Sequence, residues 1–378
     1  MHHKSHFSAI LFTAAAGTSM FAAAAPPASD STYNYYVATT GDDTNPGTAA
    51  LPFQTILRAS KVSLPGTTVH VAPGVYTGGF KTTMSGIEGQ RISYVSSVPW
   101  AAKLVPPMSS ESKAGWDNRG SYVDIVGFEI DGSATRNGMK WTHGIYNGGS
   151  HAVIKNNLVH HIALDTPCSG AEGAGIGVDS YFSGVRNDVI GNTVHHIGAP
   201  DCRFVHGINL STSGSARNNV VHNIGGAAIH LWHDANNVTI TNNTVAASMT
   251  GILVGSGEFR HTKGPNDYTY VHNNIVYDNK FGISENGLTG IHNTYRNNLV
   301  FQNSSADWQL RNGLTHTGTV AQAPQFVRYA RKGSIDFRLR SDSPAIGKGI
   351  EEHALLTDVA GKPRSKATGI DIGAYQFK

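Results

Sequence analysis

Short apolar blocks recur along the middle of the chain in a fixed order. Residues 143–162 read HGIYNGGSHAVIKNNLVHHI, and residues 206–224 read HGINLSTSGSARNNVVHNI. Each block holds a Gly-Ile segment, a turn of small residues and an apolar segment that runs through Asn to Val. Repeats of about 20–50 residues are typical of solenoids. Six asparagines recur at steps of 24 to 35 residues: Asn157, Asn192, Asn219, Asn243, Asn274 and Asn298.

The apolar segments predict strands rather than helices, because they are short and alternate between apolar and polar positions. Three short strands per repeat, with asparagine at one corner, predict an all-β chain folded as a right-handed parallel β-helix. Each coil would pair with its neighbours about 4.8 Å away, and the asparagines would stack into a hydrogen-bonded ladder. Two apolar columns would fill the interior: Ile145, Ile176, Ile208, Ile229, Ile252 and Ile283, and Val159, Val194, Val221, Val245, Val276 and Val300.

The two ends of such a solenoid need covers, because an open coil edge invites pairing with other chains. The segment PFQTILRASKV (52–62) has a helical pattern and is expected to cover the N-terminal end. The repeat stops near residue 320, and the remaining segment is expected to cap the other end. We therefore assign residues 33–378 to a single domain.

The N-terminal residues 1–25 have the features of a secretory signal peptide, with a basic start, an apolar run and small residues before Pro26. No later run reaches the roughly 18 apolar residues of a membrane helix. The formal net charge of +3 gives no reason to expect a nucleic-acid partner. We expect a secreted or periplasmic monomer.

The two cysteines, Cys168 and Cys202, are predicted to form a disulfide. An exported chain with one cysteine pair favours a disulfide over a metal site. Both residues fall in long loops about one coil apart, which brings them within bridging distance.

Polar and aromatic side chains concentrate on the outer face of the Gly-Ile strands. If each Ile points inward, the next residue points outward, and the long loops 163–173 and 198–205 fall at the same coils. Strict alternation turns His206 inward, so it reaches this face only if the chain turns at Val205. The predicted groove has His206, His230, Asp179 and Tyr146 as catalytic candidates, and Arg203, Asn209, Trp232, His233, Asp234 and His143 as substrate-binding candidates.

Each of these side chains also has a structural interpretation. His143 and His206 open equivalent strands, where a histidine can bond to the backbone at a corner. Trp232 stacks on a sugar ring or packs beneath a loop.

A second group of histidines lies on the third strand of each coil. His160, His195 and His222 are expected to form a stacked, exposed polar ladder. The alternative is a metal site that combines His160 and His195 with Asp165 or Asp201, because imidazole is a common ligand of zinc and copper.

Both ends of the chain resemble known secreted β-helix proteins. YYVATTGDDTNPGTAALPFQTI (35–56), followed by GTTVHVAPGVYTG (66–78), resembles the N-terminal segment of family 9 polysaccharide lyases of the pectate-lyase-like superfamily. The tail, with SPAIGKGI, DVAGKPR and GIDIGAYQF, resembles the closing segment of many such proteins. The resemblance implies the same fold, and in the family an Asp cluster holds calcium while a Lys acts as base.

The family's calcium site and base have no match here. The corresponding stretch, NNLVHHIALD (156–165), carries His160 and His161 where acids are expected, and GAGIGVDSY has no Lys. A divalent cation remains an open expectation, and no cofactor is assigned.

These observations predict an exported enzyme that cleaves an acidic, uronic-acid-containing polysaccharide by β-elimination. His206 or His230 would be the base, Arg203 would bind the carboxylate and Tyr146 would be the acid. A hydrolase using Asp179 and Asp234, a C5-epimerase and a non-catalytic glycan-binding or surface-structural protein are the alternatives.

Overall fold

Stacked parallel strands dominate the computed structural model, which describes Met1 and residues 33–107, 113–133, 141–168, 172–364, 367 and 369–377. Three parallel sheets run side by side along the described residues, and each coil adds one strand to each sheet. Sheet 1 contains β1 (Tyr33–Val37), β2 (Thr67–Val71), β5 (Ile92–Ser96), β8 (Val123–Val126), β11 (Val153–Lys155), β14 (Asn187–Ile190), β17 (Gly214–Arg217), β20 (Val238–Thr241), β23 (Tyr270–His272), β26 (Thr294–Arg296) and β29 (His316–Thr317).

Within each coil the chain passes from sheet 1 to sheet 3 and then to sheet 2, so successive strands of one sheet lie one full turn apart. Sheet 2 contains β4 (Phe80–Thr82), β7 (Ala114–Asn118), β10 (His143–Asn147), β13 (Gly173–Val178), β16 (Val205–Leu210), β19 (Ala227–Leu231), β22 (Thr250–Ser256), β25 (Phe281–Gly287) and β28 (Ala306–Gln309). Sheet 3 contains β3 (Gly74–Thr77), β6 (Ala102–Val105), β9 (Glu129–Asp131), β12 (Leu158–Ile162), β15 (Thr193–Ile197), β18 (Val220–Ile224), β21 (Thr244–Ala246), β24 (Ile275–Tyr277) and β27 (Leu299–Phe301). The predicted all-β parallel β-helix is confirmed.

The second asparagine of each pair forms the predicted ladder. The Nδ2 of Asn192 donates to Oδ1 of Asn219 at 3.0 Å, and the Nδ2 of Asn219 donates to Oδ1 of Asn243 at 3.0 Å. The same Nδ2 of Asn219 also donates to the carbonyl of Val189 at 2.9 Å. All three asparagines are fully buried, so the ladder satisfies polar groups that have no access to water.

The first asparagine of each pair has a different role. Asn218 has a φ of 56°, in the left-handed region that asparagine tolerates well. This conformation turns its side chain outward, where Nδ2 donates to the carbonyl of Thr357 at 2.7 Å. Three further coils repeat the arrangement: Asn242 donates to Asp371, Asn273 to Ile350 and Asn297 to Lys348.

The C-terminal segment therefore packs along the side of these coils, after Val320 has paired with Leu299 of sheet 3. Its two strands, β30 (Phe326–Arg328) and β31 (Asp336–Leu339), pair antiparallel. Phe326 and Phe337 pack in one apolar cluster with Val220 of sheet 3. The outer asparagines supply hydrogen bonds that fix this segment against the corner.

The N-terminal cover forms as predicted. Helix α1 (Ile56–Val62) begins after Thr55, whose side chain accepts a hydrogen bond from the N–H of Arg58. Ile56 and Ala59 are buried in the main core. The predicted signal peptide lies outside the described residues and stays a prediction, and no helix among the described residues is long and apolar enough to cross a membrane.

The predicted disulfide is confirmed. Cys168 and Cys202 are bonded, with their Cα atoms 5.0 Å apart. The bond joins the loop after β12 to the loop after β15, at the coils where the candidate groove lies.

Replacing Asn219 by Ala should destabilise the fold by about 1–3 kcal/mol, because the ladder amides on both sides lose a partner in a buried position. The free energy of unfolding in urea would measure this. Asn34→Ala is a suitable control: Asn34 is exposed and accepts one hydrogen bond from His70, so its loss should cost no more than about 0.5 kcal/mol. Equal stability of Asn219→Ala and wild type would contradict the role given to the ladder.

Candidate active site

A long groove follows the outer face of sheet 2. One cavity of about 700 Å³ extends from His143 to Arg311. A second cavity of about 950 Å³ continues toward Lys81, and both cavities share Tyr146, Glu172 and Asp179. The two cavities thus form one depression that crosses most of the coils of sheet 2, which suits an extended chain better than a compact small molecule.

The groove contains the outward columns predicted from the isoleucine register. The Cα partners of Tyr146 on successive coils are Gly177, Asn209 and His230. Ile145, Ile176 and Ile208 are fully buried beneath them. Trp232, Asn209 and Arg203 line the groove, as predicted.

His206 also faces the groove, although strict alternation turns it inward. The alternation of inward and outward side chains breaks at Gly207 and not at Val205. A Cβ on Gly207 would lie 2.5 Å from Cγ1 of Val221, inside the core. Gly207 and Ile208 both face the interior, so His206 before them faces outward. Small residues occupy the equivalent position on the other coils: Gly144, Gly175, Ala228, Gly251 and Gly282.

A recess opens at the strand β13, where the outward residues are small. Ala174 lies between His143 and His206 in the register, and Gly177 lies between Tyr146 and Asn209. A Cβ on Gly177 would be 3.0 Å from Cδ2 of His143. The His143 ring occupies part of the space that the missing side chain of Gly177 leaves between two polar walls.

The first wall of the recess combines His143, Tyr146 and Asp179. The Tyr146 hydroxyl donates to Oδ2 of Asp179 at 2.7 Å, and the His143 and Tyr146 rings meet edge to face at 5.5 Å. Arg260 forms an ion pair with the same Asp179. Burial, followed by the Asp179 charge, raises the pKa of Tyr146 above its ordinary value, so the phenol keeps its proton.

The protonation of His143 follows from its partner Thr142. The Thr142 hydroxyl donates to the carbonyl of Lys113 at 3.2 Å, and its oxygen lies 3.1 Å from Nδ1 of His143. When the hydroxyl proton points to the Lys113 carbonyl, Nδ1 of His143 donates to the Thr142 oxygen and Nε2 carries the free lone pair. Burial lowers the pKa of His143 to about 4, so the ring is neutral at neutral pH.

The second wall combines His206, Asn209 and His230. The His206 and His230 rings stack at 3.8 Å. Nδ1 of His206 accepts from the N–H of Ala227 at 3.2 Å, whereas Nδ1 of His230 donates to Oδ1 of Asn209 at 2.9 Å. Burial lowers the pKa of His206 to about 3 and that of His230 well below its ordinary value.

Two predicted substrate-binding residues bond to the loop after β22. Oδ1 of Asp234 accepts from the N–H groups of His261 and Thr262 at 3.1 and 2.9 Å, and Oδ2 accepts from Ser180 at 2.7 Å. Asp234 therefore fixes the loop after β22 and does not line the groove. His233 lines the groove, but its Nδ1 donates to the carbonyl of Glu258 at 3.0 Å and its Nε2 accepts from Arg260 at 3.1 Å.

Several groove residues were missed by the sequence reasoning. Arg119 stacks over the Tyr146 ring at 4.6 Å and over the Phe182 ring at 3.8 Å. Arg260 reaches the site from a loop far along the chain, and no local pattern signals this. The register could have found Arg119, since it lies one residue beyond the partner of Asn147. The cationic groups along the groove are Lys81, Lys113, Arg119, Arg203, Arg260 and Arg311.

The histidines of sheet 3 stack as predicted but are not exposed. The His160 and His195 rings are 5.1 Å apart, as are those of His195 and His222. Phe337 of the C-terminal segment packs against His222 at 5.4 Å, because that segment covers part of this face. Burial lowers the pKa of His195 to about 2.

The predicted metal ligands are not brought together in the predicted set. Among the described residues, the group that could hold a metal ion is Asp131, His160 and His161, without His195, Asp165 or Asp201. Calcium takes six to eight oxygen ligands, and this group offers two imidazoles and one carboxylate. The residues present do not fit the calcium site that the resemblance implies.

The comparisons with known proteins agree with this architecture. Residues 111–259 match the family described as right handed beta helix region, and residues 39–84 match a family described as protein of unknown function (DUF1565). Curated proteins gave no match. The solved structure of pectate lyase Pel9A is 17% identical over 92% of this chain and 97% of that chain, with a TM-score of 0.50. The A-module of the mannuronan C-5 epimerase AlgE6 of Azotobacter vinelandii is 15% identical over 70% of this chain and 67% of that chain, with a TM-score of 0.50.

The chain therefore has the right-handed parallel β-helix fold, which it shares with pectate lyase Pel9A. At these identities the likeness concerns the fold.

Acidification should destabilise the folded chain. The folded pKa values of His143 and His206, about 4 and about 3, lie below the value near 6.5 of an unfolded histidine. The neutral histidines contribute their full share to the free energy of unfolding above about pH 7. As the pH falls, the unfolded chain takes up protons, and this free energy drops by up to about 2 kcal/mol per neutral histidine at about pH 5. Urea unfolding between these pH values would measure it. His206→Gln should show a smaller loss, and an unchanged stability of wild type would contradict the buried, neutral state of these rings.

Proposed function

We propose that this protein is an exported polysaccharide lyase that cleaves an acidic, uronic-acid-containing polysaccharide by β-elimination in the groove of sheet 2. The observation that carries the proposal is the first wall of the recess: the His143 ring, with Nδ1 against Thr142, meets the ring of Tyr146, whose hydroxyl donates to Asp179. A β-elimination needs a base and an acid next to one sugar ring.

The cations along the groove support an acidic substrate. Lys113, Arg119 and Lys81 line its N-terminal part, and Arg203 and Arg311 line the other side of the recess. The lining also holds five carboxylates, Asp117, Glu172, Asp179, Glu258 and Glu285. A uronate chain would therefore be bound through individual lysine and arginine contacts, and Lys113 near His143 would offset the charge of the sugar that reacts.

In the proposed reaction, Nε2 of His143 removes the proton on C5 of the uronate. The electron pair of the C5–H bond forms the C4–C5 double bond, and the bond between C4 and the glycosidic oxygen breaks. The Tyr146 hydroxyl gives its proton to the leaving oxygen. Asp179 keeps Tyr146 protonated until then, and the Arg260 ion pair holds Asp179 in position.

His143 replaces His206 and His230 as the proposed base because of distance. Tyr146 and His230 belong to one column but lie three coils apart, which is about 14 Å at the usual strand spacing. The proton on C5 and the leaving oxygen belong to adjacent atoms of one ring, so the base and the acid must lie closer than that.

A C5-epimerase is the second candidate, because histidines border the recess on both sides. An epimerase removes the C5 proton on one face and returns a proton on the other, and His206 or His230 would be the second donor. A hydrolase is less consistent with the geometry, since Asp179 is paired with Arg260 and Asp234 is saturated by the loop it fixes.

The test uses purified protein on pectate, alginate, glycosaminoglycans and bacterial exopolysaccharides, with ultraviolet absorbance of the unsaturated product and reducing ends measured together. His143→Gln and Tyr146→Phe should each lower turnover at least about 100-fold, with little change in melting temperature. His261→Gln is the control, because the His261 side chain is exposed and does not line the groove.

Three outcomes would contradict the proposal. Reducing ends without ultraviolet absorbance would indicate a hydrolase. Uptake of solvent deuterium at C5 without chain cleavage would indicate an epimerase. Full activity of both variants on a substrate that wild type cleaves would show that another site is used.

A further inference from the structure

A cluster of metal-binding side chains lies on sheet 3, apart from the groove of sheet 2. One ligand atom each from Asp131, His160 and His161 lies within 4.8 Å of the other two. Nδ1 of His160 is 2.7 Å from Nδ1 of His161 and 3.5 Å from Oδ1 of Asp131. Without an ion, the two ring nitrogens must share a proton to approach this closely.

The surroundings of His160 orient its ring for a ligand. Nε2 of His160 donates to Oε1 of Glu129 at 3.1 Å, which leaves the lone pair on Nδ1. A carboxylate that accepts from the far nitrogen of an imidazole is the usual outer partner of a metal-bound histidine. Asp131 and His160 are buried, whereas His161 is half-buried, so an ion could enter from the His161 side.

Lys103 lies beside the cluster but leaves the converging oxygen available. Its Nζ contacts Oε1 of Glu129 at 2.8 Å and Oδ2 of Asp131 at 3.0 Å. Oδ1 of Asp131, the atom that faces His160, is not used by this ion pair; it accepts from the N–H of Ser133 at 2.8 Å and has a second lone pair. Lys103 offsets one of the two carboxylate charges, which reduces the attraction for a purely electrostatic ligand such as calcium.

The next coil provides an internal comparison. His195 and His196 repeat the contact, with their Nδ1 atoms 2.7 Å apart. In the register of sheet 3, Asp131 pairs with His160, and His160 pairs with His195. The residue that pairs with His195 on the preceding coil is therefore an imidazole. Within the described residues, a carboxylate occupies this position only on the coil before His160.

We propose that Asp131, His160 and His161 bind one divalent transition-metal ion, with zinc as the representative case. Two imidazoles and one carboxylate favour zinc, nickel or copper over calcium or magnesium. The ion would replace the shared proton and would link β9 to β12. After Ile162 the chain enters the loop that carries Cys168, so the ion would also fix the start of that loop.

The experiment titrates chelator-treated full chain with zinc chloride in a calorimeter and measures its melting temperature with and without zinc. Asp131→Asn and His161→Asn remove one ligand each. His161→Asn suits the backbone, because His161 has a φ of 56° and Asn223, which follows His222 as His161 follows His160, has a φ of 57°. His196→Asn is the matched control on the coil without a carboxylate.

Wild type and His196→Asn should bind zinc alike, and both ligand variants should lose one equivalent or weaken it at least about 10-fold. Zinc should raise the melting temperature of wild type and of His196→Asn, but not of the ligand variants. Calcium chloride should give no such binding. The chain also contains His2, His3 and His6, so the differences between variants carry the result. Equal zinc binding by all four proteins, or equal losses in His161→Asn and His196→Asn, would overturn the site.

Discussion

Backbone hydrogen bonding between successive coils is the constraint on which the rest of the structure depends. Each strand must match the strand one turn earlier, so strand length and register are fixed while the loops vary. Every position in a strand therefore becomes a column through the molecule. Interior columns hold Ile and Val, the corner column holds Asn219 and its equivalents, and the outward columns are free to carry chemistry.

This constraint explains how much of the fold could be predicted from the sequence. The asparagine spacing predicts the ladder, the isoleucine register predicts which side chains meet in the groove, and the coil step predicts the Cys168–Cys202 bond. All three follow from periodicity, which a single sequence contains. The role of the first asparagine of each pair could not be predicted from periodicity, because Asn218 donates to a carbonyl 139 residues further along the chain.

The candidate site was less predictable, for two physical reasons. Alternation fails at Gly207, since a residue without a side chain can face a full core and so turn His206 outward. Contacts between residues that are distant in sequence could not be predicted either: Arg260 reaches Asp179 across 81 residues of sequence. Knowing which residues face the groove is therefore not enough to give their protonation or roles, which depend on partners such as Thr142.

The proposed function requires a uronic-acid chain to bind at β13, between the wall of His143, Tyr146 and Asp179 and the wall of His206, Asn209 and His230. The most direct test is a crystal structure of the Tyr146→Phe variant with an oligosaccharide of the polymer that wild type cleaves. We expect one sugar ring at β13, with its C5 facing Nε2 of His143. An oligosaccharide bound to another face, or in the groove with C5 turned away from His143, would contradict it.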